Sequence, residues 1–289
     1  MTTAEILKKV RKIEIKTKGL SSHIFSGEYH SAFKGKGMSF SEVREYTPGD
    51  DVRTIDWNVT ARLSAPYVKV FEEERELTLM LLVDISKSGL FGSAYRSKRE
   101  IITEIAAVLS FSANTNNDKI GVIFFSDKVD YYIPPKKGKS HILRIIRELI
   151  ALEPKNSSTT NINACLEFLN NVLRKRSICF LLSDMIAPPF EQSLKLAAKR
   201  HDFIGIQVFD ILDTQLPDVG LLHIQDAETG EVVEIDTSDK HTRNQYAFAF
   251  RNHQVYSSAT FSKTGAYFMQ VRTDKDYIKV LQSFFRGRI

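Results

Sequence analysis

The chain has 289 residues, 43% apolar and 26% charged. That balance excludes an intrinsically disordered polymer and accommodates one large α/β domain or an ordinary domain with a smaller module added. No apolar run approaches the roughly 20 residues that span a bilayer and no signal peptide is evident, so a cytoplasmic protein is expected. Net charge is +5, and Lys+Arg against Asp+Glu over residues 1–70 gives 12 − 8 = +4, so most of the excess lies in the first quarter. Its signs are interspersed and it has no arginine–aromatic platform, which favours a solvated basic surface over a nucleic-acid or lipid site.

In chain order, residues 3–18 carry Ile6, Val10 and Ile13 at helical spacing among lysines, an amphipathic helix expected to dock on its own domain. Residues 27–71 are dense and irregular. Pro48-Gly49-Asp50 marks a turn, Val52, Ile55 and Trp57 read as a short strand or extended piece, and Tyr67–Phe71 reads as a strand. The charged cluster Arg44, Asp50, Asp51, Arg53, Asp56 and Arg62 is open to two readings, a ligand site or an internal ion-pair network. Its nearly balanced signs favour the network. Trp57 is expected to be substantially buried against the main domain, with Arg53 or Arg62 paired to an acid of the same segment.

Leu77–Val83 is a continuous apolar run without helical spacing, a strand buried on both faces. After a Gly89–Gly92 loop, a helix is predicted over about 97–114, then strands Lys119–Ser126 and Val129–Ile133. The short link between these two strands implies an antiparallel edge pair. Helices over 140–152 and 163–173 follow, separated by the polar loop 156–161. Ser177–Ser183 is a second wholly apolar strand. Beyond it come a helix over 190–199, a strand over 203–209, a hairpin insertion at about 219–235, and a long polar helix over 239–263 closed by Gly265. A last strand over 266–271 and a final helix with Tyr277, Val280, Leu281 and Phe284 complete the pattern. Alternating strands and helices define an α/β fold, doubly wound, with a mostly parallel sheet and helices on both faces. The division expected is an N-terminal helix and accessory segment, 1–74, and a main domain, 75–289.

Both wholly apolar strands end in an aspartate, Asp84 and Asp184. In the strand order 3-2-1-4-5-6, strands 1 and 4 lie side by side at the switch point, so the two aspartates would face one crevice. Asp84 is followed by hydroxyls at Ser86 and Ser88, and the loop at Thr160 would enter the same crevice. Such an oxygen set suits a hard cation. The plainer alternative makes Asp84 a helix cap and the serines loop decoration. The two cysteines, Cys165 and Cys179, read as small buried apolar residues.

Asp84-Ile85-Ser86-Lys87-Ser88, with Thr160 in STTNINACL and Asp184 in LLSDM, resembles the metal-ion-dependent adhesion site of von Willebrand factor type A domains. The glycine usual before the threonine is absent; Ser158-Thr159 stands there. The stretch Tyr46-Thr47-Pro48-Gly49-Asp50-Asp51-Val52-Arg53-Thr54-Ile55-Asp56-Trp57, followed by Thr60-Ala61-Arg62 and Tyr67-Val68-Lys69, is similar to the signature of bacterial "domain of unknown function 58" proteins. The resemblance implies that Ser86, Ser88 and Thr160 coordinate Mg²⁺ or Mn²⁺ through hydroxyls, with Asp84 and Asp184 acting directly or through water. One coordination position would be left for a partner's carboxylate. It further implies a MoxR-type AAA+ ATPase as the partner to test first.

Enzyme readings fit less well. A dehalogenase-like phosphatase needs an acid two residues after its nucleophilic aspartate, where this chain has Ser86. A P-loop requires GxxxxGK[ST], and Ile133 stands where the first glycine before Gly138-Lys139-Ser140 is needed. The seven histidines show no metal-ligand spacing. A Mg²⁺-dependent phosphoryl-transfer enzyme and nucleic-acid binding through the basic N-terminal segment are the alternatives to a binding module.

Overall fold

The computed structural model describes residues 11, 13, 38–63, 65–73, 77–93, 96–152, 160–225 and 230–288. The helix expected over 3–18 and most of the loop at 156–161 lie outside the described residues, as does the expected boundary at 74/75. Two compact units are present, one of residues 33–77 and a larger one holding residues 78–289.

In the smaller unit, β1 (Met38–Glu45) and β2 (Tyr67–Glu73) form an antiparallel ribbon with an irregularity between Phe40 and Glu42. Between them the chain is helical where an extended piece was expected. Val52–Thr54 make a 3₁₀ turn, and Trp57–Leu63 form α1. Aspartates decide this locally. Asp51 accepts the Arg53 N–H, and Asp56 accepts the N–H groups of Asn58 and Val59, satisfying donors that a helix start leaves free. Trp57 is 68% exposed, contrary to the expected burial. It opens a seven-residue helix beside a two-stranded ribbon, which offers little surface to cover an indole.

The larger unit is built on a six-stranded sheet of order β10-β7-β6-β3-β4-β5. The strands are β3 (Thr78–Asp84), β4 (Lys119–Phe125), β5 (Val129–Lys136), β6 (Ile178–Ser183), β7 (Asp202–Phe209) and β10 (Tyr267–Arg272). All neighbours are parallel except β4 and β5, the expected antiparallel edge pair. Counted from β3, this is the order 3-2-1-4-5-6. The hairpin β8 (Leu221–Gln225) and β9 (Val232–Asp236) forms a separate ribbon.

Continuous apolar strands require cover on both faces. Met80 and Leu82 of β3 and Cys179 and Leu181 of β6 pack with Cys165 and Leu166 of α4 (Ile162–Val172), Leu194 of α5 (Glu191–Arg200) and Phe261 of α6 (Lys240–Thr264). The cysteines are buried and unpaired, as expected. On the opposite face Phe180 meets Phe285 of α7 (Tyr277–Arg286) edge to face, and α2 (Lys98–Thr115) and α3 (Lys139–Ala151) pack together. Gly205 of β7 lies so close to the Phe261 ring that a Cβ would overlap it. Gly265, at φ 74°, ends α6 in the left-handed conformation that glycine adopts without a steric penalty.

Candidate metal centre

Strands β3 and β6 run parallel in a register that pairs Val83 with Leu182, so both chains leave the sheet side by side at their carboxyl ends. This is where the strand order reverses, and a crevice opens there in doubly wound sheets. Asp84, Ser86, Ser88 and Asp184 line one small pocket with Gly89, Lys98 and Ile102. Thr160 is buried but does not line that pocket. Four of the five residues expected at the site are therefore together.

Each is held by identifiable bonds. Oδ1 of Asp84 accepts the Ser86 N–H at 2.8 Å, and Oδ2 accepts the Ser183 hydroxyl at 2.6 Å. The Ser86 and Ser88 hydroxyl oxygens lie 2.9 Å apart. A 3₁₀ turn, Lys87–Leu90, folds the serine loop back over the strand end. Asp184 accepts the Ile186 N–H on Oδ1 at 3.1 Å, and its backbone carbonyl accepts from the Gln207 amide. The next residue, Met185, has φ 63°, a left-handed conformation that is uncommon outside glycine; its N–H bonds to the Ser183 hydroxyl at 2.9 Å. Ser183 thus ties Asp84 to the strained turn after Asp184.

Two basic residues at the start of α2 complete the surroundings, and sequence reasoning missed both. Lys98 is 2% exposed; its Nζ lies 3.1 Å from Oδ2 of Asp184 and 3.3 Å from Oδ2 of Asp213. Arg99 donates to the backbone carbonyls of Ile85 and Leu152. Ser97 and Glu100 form a capping box at this helix start, the place where a helix dipole disfavours cations. Two consecutive basic residues in a first turn were the available signal that something acidic faces them.

Burial and, after it, the neighbouring Asp184 raise the pKa of Asp84 to about 6, against the opposing hydrogen bonds from Ser183 and Ser86. Burial would lower the Lys98 pKa, but Asp184 and Asp213 outweigh it and the net shift is upward, so the group is an ammonium ion. Burial raises the pKa of Asp213 in spite of Lys98.

These residues fit a hard divalent cation. Two buried carboxylates facing one pocket form a like-charge pair that a cation relieves, and the adjacent serine hydroxyls add neutral oxygen donors. Among the described residues no group of three or more His, Cys, Asp or Glu is gathered as a metal site.

The signature residues make their own network inside the smaller unit. Arg44 forms a two-pronged pair with Asp50 at 2.7 and 2.8 Å, and the Thr47 N–H donates to the same carboxylate at 2.9 Å. The Arg44 guanidinium and the Thr47 N–H hold the Asp50 carboxyl far below its usual range. The Tyr46 N–H donates to the carbonyl of Pro66, and Gly49 supplies the turn's φ of 114°. Asp56 pairs with Lys69 at 3.4 Å. Among the described residues the arginine that pairs with an acid of this segment is Arg44, not Arg53 or Arg62 as expected, because the turn at Pro48-Gly49 brings Asp50 back to the end of β1.

The family described as "Protein of unknown function DUF58" matches residues 42–256. "Uncharacterized protein Rv1480" of Mycobacterium tuberculosis (strain ATCC 25618 / H37Rv) is 30% identical over 281 residues, covering 96% of this chain and 88% of the relative. The crystal structure of conserved hypothetical protein BatB from Bacteroides thetaiotaomicron superposes with a TM-score of 0.50 at 16% identity, covering 73% of this chain and 98% of that one. The SpRpn10 VWA domain superposes at a TM-score of 0.39 and 9% identity, covering 73% and 95%. Among the described residues no helix is long and apolar enough to cross a membrane. With its signature segment inside the matched residues, the chain belongs to the DUF58 family, and its mostly parallel, doubly wound α/β fold is like that of the BatB structure.

Proposed function

We propose that the larger unit is a protein-interaction module that holds Mg²⁺ or Mn²⁺ through Asp84, Ser86, Ser88 and Asp184 and engages a carboxylate of a partner protein. One observation carries the reading: adjacent parallel strands bring Asp84 and Asp184 into one pocket together with both serine hydroxyls. A bound cation supplies there an electrophilic position for an acidic side chain. Ser86 and Ser88 contribute oxygens without formal charge, and Lys98 already offsets one of the two carboxylates, so the site neutralises the cation incompletely and keeps its attraction for an outside carboxylate. Ser183 and the Ser86 N–H fix both oxygens of Asp84, which keeps the acceptor geometry preorganised. The function is recognition and not turnover, and a MoxR-type AAA+ ATPase is the partner class proposed.

The test is a pull-down on the full chain in Mg²⁺ and in EDTA, with mass spectrometry of the proteins retained. Partners retained in Mg²⁺, lost in EDTA and lost with Asp84→Ala support the reading; an ATPase among them supports the partner class. An identical set of partners in all three conditions, or capture of nucleic acid alone, overturns it.

A further inference from the structure

Lys98 is the feature of this site that a simple cation-binding reading does not use. Its side chain is buried at the first position of α2, lines the same pocket as Asp84, Ser86 and Ser88, and lies between two carboxylates on different elements. Asp184 stands just past β6. Asp213 stands in the helical turn after β7, where its carboxylate also caps the N–H of Asp210 at 2.7 Å. The Phe91 ring sits 5.8 Å from the ammonium on a further side. Both oxygens of Asp184 are already engaged, Oδ1 by the Ile186 N–H and Oδ2 by Lys98. Asp184 is therefore not a vacant ligand.

Resting on the metal-binding reading above, we infer that Lys98 is a built-in cation that competes with the divalent ion for Asp184, and that Asp213 is the second acceptor which retains the ammonium when Asp184 is engaged. A fixed positive charge beside the pocket opposes a divalent ion, and in a buried site that opposition is screened far less than in water. Two acceptors within reach of one ammonium give the lysine an alternative partner, so releasing Asp184 does not leave a buried charge unpaired, which would be costly. The arrangement holds metal affinity down in the isolated protein and makes full engagement depend on what else enters the pocket, such as the partner's carboxylate.

The two residues make opposite predictions. Lys98→Met keeps the length and apolar stem while removing the charge, and should tighten Mg²⁺ and Mn²⁺ binding by tenfold or more in calorimetric titration of the full chain. Asp213→Asn leaves Lys98 with Asp184 as its remaining charged partner, and should weaken binding several-fold. The same order should appear in the thermal shift that each metal produces. An affinity unchanged or weakened by Lys98→Met, or unchanged or tightened by Asp213→Asn, overturns the inference while leaving the metal site intact. Binding seen in Lys98→Met but not in the wild-type chain supports it. Absence of binding in both removes the metal reading, and this inference with it. If Lys98→Met does not fold, the sign of the Asp213→Asn effect decides.

Discussion

Ser183 Oγ donates a 2.6 Å hydrogen bond to Oδ2 of Asp84 across two neighbouring strands, although the residues are 99 positions apart in the chain. The same oxygen accepts the N–H of Met185, the left-handed residue that follows Asp184. One hydroxyl therefore braces Asp84 and the turn that follows Asp184.

Ser183→Ala should destabilise the fold by about 1–3 kcal/mol, since it leaves a buried carboxylate oxygen and a buried N–H without their partner. Denaturant unfolding at constant pH measures this. An unchanged midpoint would show that the bond contributes nothing net.

Protein freed of metal with EDTA should gain thermal stability when Mg²⁺ or Mn²⁺ is added, by roughly 2.7 kcal/mol at a hundredfold excess over the dissociation constant. Asp84→Ala should abolish the gain, and the Ser86→Ala, Ser88→Ala double variant should nearly do so. Hydrolysis of ATP and of phosphate monoesters should stay at background throughout. A metal-dependent turnover lost in Asp84→Ala would assign an enzyme to the site instead.

His201, at the end of α5, is 3% exposed, and among the described residues neither ring nitrogen has a hydrogen-bond partner. Burial, with help from Arg200 and Arg176, holds its pKa down at about 4. The folded state therefore keeps the ring neutral while the unfolded chain protonates it near its ordinary pKa of about 6.5. Its contribution to stability is present above pH 6.5 and is lost as the pH falls toward 4, by about 1–3 kcal/mol in all. His201→Phe should flatten that part of the stability profile. If wild type and variant decline in parallel from pH 7 to pH 4, the imidazole is not the group responsible.

Gly205→Ala should cost about 1–3 kcal/mol, the usual penalty for forcing an extra methyl into a packed core. The overlap is with the Phe261 ring, so combining it with Phe261→Leu should cost less than the sum of the two single changes. Additive costs in a double-mutant cycle would place the strain elsewhere.

The sheet was legible because β3 and β6 are short, wholly apolar and end in acids. Such runs leave few alternatives to a strand covered on both faces, and the strand order then determines which acids meet. Lys98 was not legible in the same way. Its burial depends on Asp184 and Asp213, which reach it from strand ends far along the chain, whereas locally it looks like one of several basic residues at a helix start. Trp57 shows the opposite failure. Aromatic and charged density suggests burial, yet Asp51 and Asp56 turn the segment into two short helical pieces through their own caps. The arginine at the ion pair was misplaced for a related reason: the Pro48-Gly49 turn folds Asp50 back toward Arg44, and charge counting carries no such direction.

The pairing of β3 with β6 also sets when the pocket can exist. Asp84 is synthesised early, but the strand that carries Asp184 and the turn that carries Asp213 come much later, and contacts between such distant segments form only after the intervening loops have closed. A chain interrupted before Asp184 would hold the serine loop without its facing acid and without the second acceptor for Lys98. On the proposed function, a partner that reads this pocket would distinguish finished molecules from unfinished ones, because its occupancy would report that the central strands have found each other.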